Sequence, residues 1–186
     1  MTEKLQSGDA LLIVDVQKDF CAGGALAVPG GDEVVPVLNE WIEAARAAAV
    51  PIIASRDWHP REHVSFASQG GPWPEHCVQD TEGAEFHDDL ALPDSAVRVS
   101  KGTAFDRDAY SAFDGTGLDT YLARHGIRRL WVGGLAEDVC VLQTVLDARR
   151  KGFDTHVIAG ATRPVDPAAR PRVLEEMEKA GARIAA

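Results

Sequence analysis

The sequence predicts an α/β fold, a three-layer α-β-α sandwich built on a mainly parallel sheet of five or six strands. Two observations carry that prediction. Short apolar runs alternate along the chain with amphipathic stretches of helical period, the rhythm of strands joined by crossover helices. The first run, Ala10-Leu11-Leu12-Ile13-Val14, is apolar without interruption, as expected of a strand covered on both faces.

Each element follows from local pattern. Val34, Leu38, Ile42 and Ala45 recur at helical spacing and predict a helix over 33–49. Pro51-Ile52-Ile53-Ala54 reads as the second strand and Ala96-Val97-Arg98-Val99 as the third. Leu118, Tyr121 and Leu122 mark a short helix that stops at His125-Gly126, and Arg129-Leu130-Trp131-Val132 is the fourth strand. A helix over 138–151 turns Val141, Val145 and Ala148 inward. Its last turn, Arg149-Arg150-Lys151, complements the negative helix end, and Gly152 suits the left-handed residue that follows. Thr155-His156-Val157-Ile158 is the fifth strand. A helix around Val173, Leu174 and Met177 runs to Gly181, and 182–185 reads as a brief edge strand. A single domain over 1–186 is expected. Its rhythm breaks only in a long Gly-, Pro- and His-rich region at about 56–95, and aperiodic segments of that length are usually functional.

Composition narrows the function. A formal net charge of -10 and the lack of any run of five or more basic residues disfavour nucleic acid and anionic membranes as partners. No apolar stretch reaches spanning length, and Met1-Thr2-Glu3-Lys4 lacks a signal-peptide core, so a cytoplasmic protein is expected. Cys21, Cys77 and Cys140 are odd in number and far apart, which is no disulfide framework. Arg128-Arg129 and Arg149-Arg150-Lys151 read as solvated faces; the sequence leaves a homo-oligomer open.

The chemistry lies just past the strands, where open parallel sheets bind ligands. Asp15 follows the first strand, Asp57 the second, Lys101 the third, and the fourth leads through Gly133-Gly134-Leu135-Ala136 to Cys140. Asp57, His59, His63 and His76 crowd one segment. Carboxylate oxygen and imidazole nitrogen suit a divalent ion such as zinc, iron or manganese, although solvated loop histidines would give the same spacing. Cys140 falls in the first turn of a predicted helix, where backbone N–H groups and the helix dipole favour a thiolate; a buried structural thiol is the alternative. Asp15 could cap nearby backbone donors or act as a general base, and Lys101 could be a solvated turn residue or hold two anions in register. Together, nucleophile, base and orienting cation fit covalent cleavage of an amide or ester. Cys21 and Cys77 have no such setting and read as structural.

These residues resemble the nicotinamidase/pyrazinamidase family of the isochorismatase-like cysteine hydrolases. The resemblance rests on Ile13-Val14-Asp15-Val16-Gln17-x-Asp19-Phe20-Cys21-x-Gly23-Gly24, Asp57-x-His59, His63-x-Ser65-Phe66, Trp73-Pro74-x-His76-Cys77, Lys101-Gly102, Tyr110-Ser111-x-Phe113 and Gly134-Leu135-Ala136-x-Asp138-x-Cys140-Val141. It implies a triad of Asp15, Lys101 and Cys140 and one divalent metal ion, zinc before iron or manganese, held by Asp57, His59, His63 and His76. It also implies a cis peptide between Leu135 and Ala136 that aims the Ala136 and Cys140 N–H groups into an oxyanion hole, and a pyridine pocket walled by Phe20, Trp73 and Tyr110. The implied reaction is nicotinamide, and also pyrazinamide, hydrolysis through a thioester, a step of NAD salvage. A related amidase acting on another small amide is the alternative. Glu137, where relatives often carry Thr, and Val139, where some carry a bulkier ring, bear on substrate breadth. The short His59–His63 spacing bears on metal affinity.

Overall fold

The computed structural model describes residues 4–186. Six strands form one sheet: β1 (Asp9–Val14), β2 (Ile52–Asp57), β3 (Val97–Lys101), β4 (Arg129–Leu135), β5 (Asp154–Arg163) and β6 (Arg183–Ala185). Their order is β3-β2-β1-β4-β5-β6 and every pairing is parallel. The chain winds outward from β1 in one direction and then returns to its other side. This leaves a switch point between β1 and β4, and ligands of such sheets bind in the crevice that opens there at the strands' carboxyl ends.

The uninterrupted burial of β1 follows from helices on both faces. Leu11 and Ile13 point toward α1 (Val34–Ala47), packing with Leu38, Trp41 and Ile42. Ala10, Leu12 and Val14 point the other way, toward α2 (Leu118–Arg124), α3 (Leu142–Arg150) and α4 (Arg170–Lys179). The two-residue alternation of the strand sorts the core into two layers. No helix among the described residues is long and apolar enough to cross a membrane.

Several boundaries differ from those the local pattern predicts. β2 runs on to Asp57 and β3 to Lys101, so both residues end their strands instead of following them. Parallel pairing sets Asp57 directly beside Lys101. β5 continues through Ala159-Gly160-Ala161 to Arg163. The helix expected over 138–151 begins as a wide π turn, Glu137–Val141, before α3 proper. The region 58–96 carries only single 3₁₀ turns and isolated bridges, as expected of an aperiodic segment.

All four helices end alike. Gly126, Gly152 and Gly181 follow α2, α3 and α4 with φ of 66°, 91° and 96°, and the next residue donates back to a carbonyl five positions earlier: Ile127 to Leu122, Phe153 to Ala148, Ala182 to Met177. These next residues are buried, which completes the hydrophobic half of the Schellman motif. α1 uses the same motif, Val50 donating to Ala45, but places Ala49 in the left-handed position at φ 53°. A side chain there costs about 1–2 kcal/mol, partly offset by the extra freedom glycine has when unfolded. Ala49→Gly should therefore stabilise the protein by about 0.5–1 kcal/mol in chemical denaturation; a loss of stability would contradict this reading of the helix end.

Candidate active site

Four strand ends deliver the site. β1 gives way to Asp15, whose φ of 49° turns the chain sharply out of the sheet. Asp tolerates this left-handed region better than most residues, and strained backbone at a functional position is a recurring association. The turn buries the Asp15 carboxyl completely. Its Oδ1 accepts a hydrogen bond from the Ser55 hydroxyl at 2.8 Å. Its Oδ2 lies 2.7 Å from Lys101 Nζ but makes no aligned hydrogen bond, so a lone pair stays available for a proton.

Lys101 is the hub. Its ammonium, only 1% exposed, donates to Asp57 Oδ1 at 2.5 Å and lies 3.5 Å from Cys140 Sγ as well as beside Asp15. Burial alone would drive a lysine neutral, yet Asp15 and Asp57 outweigh it and hold its pKa well above the ordinary range. Burial likewise works to raise Asp57, but Lys101 above all, with the neighbouring His59 and His76 rings, dominates and keeps it well below the usual carboxylate range. Asp15 moves the other way: burial, helped by the neighbouring Asp57 charge, raises it against the pull of Lys101.

Cys140 overturns one expectation. Burial first, and then the charges of Asp15 and Asp57, push its thiol well up despite Lys101. Burial, with two buried carboxylates nearby, works against a resting thiolate in this setting. The thiol rests protonated beside Asp15, an acceptor placed to take that proton.

The metal-type residues divide in two. A ring nitrogen of His59, one of His76 and a carboxylate oxygen of Asp57 lie within 4.8 Å of one another. His59 Nε2 and His76 Nε2 stand 3.5 Å and 3.7 Å from Asp57 Oδ2, too far for good hydrogen bonds. Such distances are close to the roughly 3.4 Å edge of a tetrahedron with bonds of about 2.1 Å. Nδ1 of His59 donates to the Gly102 carbonyl and Nδ1 of His76 to the Pro74 carbonyl, each at 2.7 Å. A carbonyl can only accept, so both Nδ1 atoms carry the proton and both Nε2 lone pairs are free, the arrangement typical of metal-bound histidine. Gly102 is needed for this contact. A Cβ there would fall 2.5 Å from His59 Cε1, and its φ of 62° disfavours any other residue.

His63 stands outside that group. Its ring stacks on His59 at 4.0 Å between centroids. Its Nε2 donates to the Arg107 carbonyl at 3.0 Å, and its Nδ1 faces the Ser65 hydroxyl at 2.7 Å and backbone N–H at 3.2 Å. Both ring nitrogens are engaged, and the tautomer leaves no lone pair for an ion. Cys21, Asp32 and His87 also cluster, but His87 has the same defect: Nε2 points to Asp32 while Nδ1 accepts from the Asp89 N–H.

The remaining residues enclose a narrow slot. Phe20, Leu26, Trp73, Tyr110, Val139 and Val165 line its sides, and Cys140, Ala136, Asp57 and His76 its base. Trp73 Nε1 donates to the Tyr110 hydroxyl at 3.1 Å. The Leu135–Ala136 peptide is cis. Of the two departures, Val139 reaches the slot, whereas the buried Glu137 turns away to Arg170 on α4, 3.0 Å distant, so it does not touch that space. Cys21 and Cys77 are buried and unpaired, as expected.

Three contributing residues have no role assigned from sequence. Gln17 is fully buried; its amide donates to the carbonyls of Asp57 and Ala84 and accepts from the Asp57 N–H, tying the exit of β1 to the end of β2. Ser55 orients Asp15. Asp108 lines the slot beside Tyr110. Each lies two residues from a site residue, Gln17 from Asp15, Ser55 from Asp57 and Asp108 from Tyr110, which is a weak signal at most.

Comparison with known proteins agrees with this geometry. An isochorismatase domain model matches residues 9–186. The nicotinamidase of Escherichia coli K12 is 43% identical, covering 94% of this chain and 93% of its own. The crystal structure of Pyrococcus horikoshii pyrazinamidase in complex with zinc shares 45% identity and a TM-score of 0.93, covering 96% of this chain and 98% of that one. A Leishmania infantum PnC1 structure in complex with nicotinate shares 37% identity and a TM-score of 0.91, covering 100% of this chain and 96% of that one. A buried thiol, a base and an ammonium at the switch point of this sheet, with relatives that match nearly end to end, place the chain in the isochorismatase family, among its nicotinamidase/pyrazinamidase members.

Proposed function

We propose that this protein is a metal-dependent cysteine amidohydrolase that converts nicotinamide to nicotinate and ammonia, with pyrazinamide as a second substrate. The observation that carries the reading is the position of Lys101 Nζ, 2.7 Å from Asp15 Oδ2 and 3.5 Å from the Sγ of Cys140, whose thiol lines a cavity shared with Phe20, Trp73 and Tyr110. Nicotinamidase and pyrazinamidase relatives of similar length support the same substrate class.

The residues present fit a divalent cation. Asp57 presents its Oδ1 to Lys101 and its Oδ2 to the ring nitrogens of His59 and His76, so a cation among these three groups would meet a buried carboxylate oxygen and two imidazoles. Asp57, His59 and His76 would hold the ion. It would supply a Lewis-acid anchor for the pyridine nitrogen. Zinc is the proposed metal, in line with the zinc complex of the Pyrococcus relative. His63 is proposed as a flanking ring; joining as a fourth ligand would require it to release the Arg107 carbonyl.

The slot sets the ring between Phe20, Trp73 and Tyr110 and presents the carboxamide to Cys140. Asp15 takes the thiol proton as sulfur attacks the carbonyl carbon, so thiolate forms only within the step. N–H groups of Ala136 and Cys140 would receive the developing oxyanion; one such donor is typically worth about 3–4 kcal/mol of the barrier. Asp15 returns the proton to the leaving nitrogen, the C–N bond breaks, and ammonia departs, leaving a thioester on Cys140. Unprotonated again, Asp15 accepts a proton from water as the oxygen attacks the thioester. Nicotinate leaves and the proton returns to sulfur. Burial raises the Asp15 pKa, and Lys101 pulls against that rise, favouring the ionised form that can act as base.

Cys140→Ala should lose ammonia release from nicotinamide by at least about 10³-fold while binding as much zinc as the parent; retained turnover would end the nucleophile assignment. Benzamide, which lacks the ring nitrogen, should be hydrolysed far more slowly than nicotinamide by the zinc-loaded protein. Equal kcat/KM values for the two amides would contradict recognition through the cation.

A further inference from the structure

Asp108 is the one carboxylate on the slot wall that the mechanism does not use, and two sets of neighbours converge on it. On one side the Tyr110 hydroxyl accepts from Trp73 Nε1 at 3.1 Å and itself faces the Asp108 carboxylate. Trp73, Tyr110 and Asp108 line the same cavity, with the indole bonded to the phenol and the carboxylate beside the phenol. Burial pushes the Tyr110 phenol up, and the Asp108 charge adds to that against the indole bond. On the other side a carboxylate oxygen of Asp108 lies within 4.8 Å of ring nitrogens of His59 and His63. Its Oδ1 accepts from the Ala109 N–H at 2.8 Å, so the group is held in place by its own backbone.

We propose that Asp108 is a positioning residue with two separable duties: its negative charge strengthens cation binding at Asp57, His59 and His76 without ligating, and its oxygen holds Tyr110 and Trp73 as the wall against the substrate ring. The inference rests on the cation site proposed above. Outer-shell carboxylates near metal-ligating histidines typically contribute 10–100-fold in affinity. Each duty can be removed alone. Asp108→Asn discards the charge and keeps an oxygen that can accept from Tyr110. Tyr110→Phe removes the phenol hydroxyl and keeps the charge.

The test is zinc titration against a competing chelator, paired with nicotinamide kinetics at saturating zinc, on the full chain and on Asp108→Asn, Asp108→Glu and Tyr110→Phe. Asp108→Asn should weaken zinc binding about tenfold or more, with KM within about threefold of the parent once zinc is saturating. Asp108→Glu should restore most of that affinity. Tyr110→Phe should leave zinc affinity unchanged and raise KM several-fold with little effect on kcat. Zinc affinity of Asp108→Asn equal to the parent, or a Tyr110→Phe KM equal to it, would overturn the inference. If the parent chain binds no zinc, or binds it as tightly after Asp57→Ala, the cation site itself is wrong, a separate failure that takes this inference with it.

Discussion

The site depends on one buried ammonium. Lys101 sits between two carboxylates and a thiol in a place where water cannot solvate it, and its charge opposes the burial that disfavours the ionised form of both acids. The sheet produces this arrangement through register. Asp57 and Lys101 are lateral neighbours on β2 and β3, Asp15 leaves β1 one strand over, and Cys140 enters from beyond β4. Gln17 and Ser55 complete the frame by joining the β1 and β2 ends through hydrogen bonds. A one-residue slip between β2 and β3 would turn Lys101 to the other face of the sheet.

Asp57 links two functions. One oxygen faces Lys101 and the other faces the two imidazoles. Whatever charge the imidazole side gathers is felt through Asp57 by the ammonium, and through the ammonium by Asp15 and the thiol. The raised thiol and the raised Asp15 pKa follow first from burial and then from the negative charge packed beside them. They suit a cycle in which one proton moves among sulfur, carboxylate, leaving nitrogen and water without leaving the site.

Much of this is legible in the residues. The apolar run of β1, the helical period of α1 and the glycines at three helix ends are local signals, and parallel topology then places Asp15, Asp57, Lys101 and Cys140 on one edge. What escapes is non-local or chemical in detail. β2 and β3 look shorter in sequence than they are because Arg56, Ser100 and Lys101 break the apolar pattern, although pairing on both sides of β2 keeps it a strand. β5 looks shorter because Ala159-Gly160-Ala161 carries little strand propensity. Four clustered metal-type residues suggest one ligand set, but spacing does not reveal tautomer. Only the carbonyls opposite His59 and His76, and their counterpart at His63, separate the rings with a free lone pair from the one without. Asp108 stands two residues before Tyr110, but its nearness to His59 and His63, more than forty residues earlier, is non-local and shows only in the fold.

Substituting the ammonium itself tests the account most directly. Lys101→Met keeps nearly the same volume and removes the charge, so Asp15 should take up a proton and cease to be a base. With folding verified by a cooperative thermal transition, kcat/KM for nicotinamide should fall by about 10³-fold or more, the scale of losing positioned acid–base chemistry. A folded Lys101→Met protein that turns over nicotinamide within tenfold of the parent would contradict the dependence of the site on that charge.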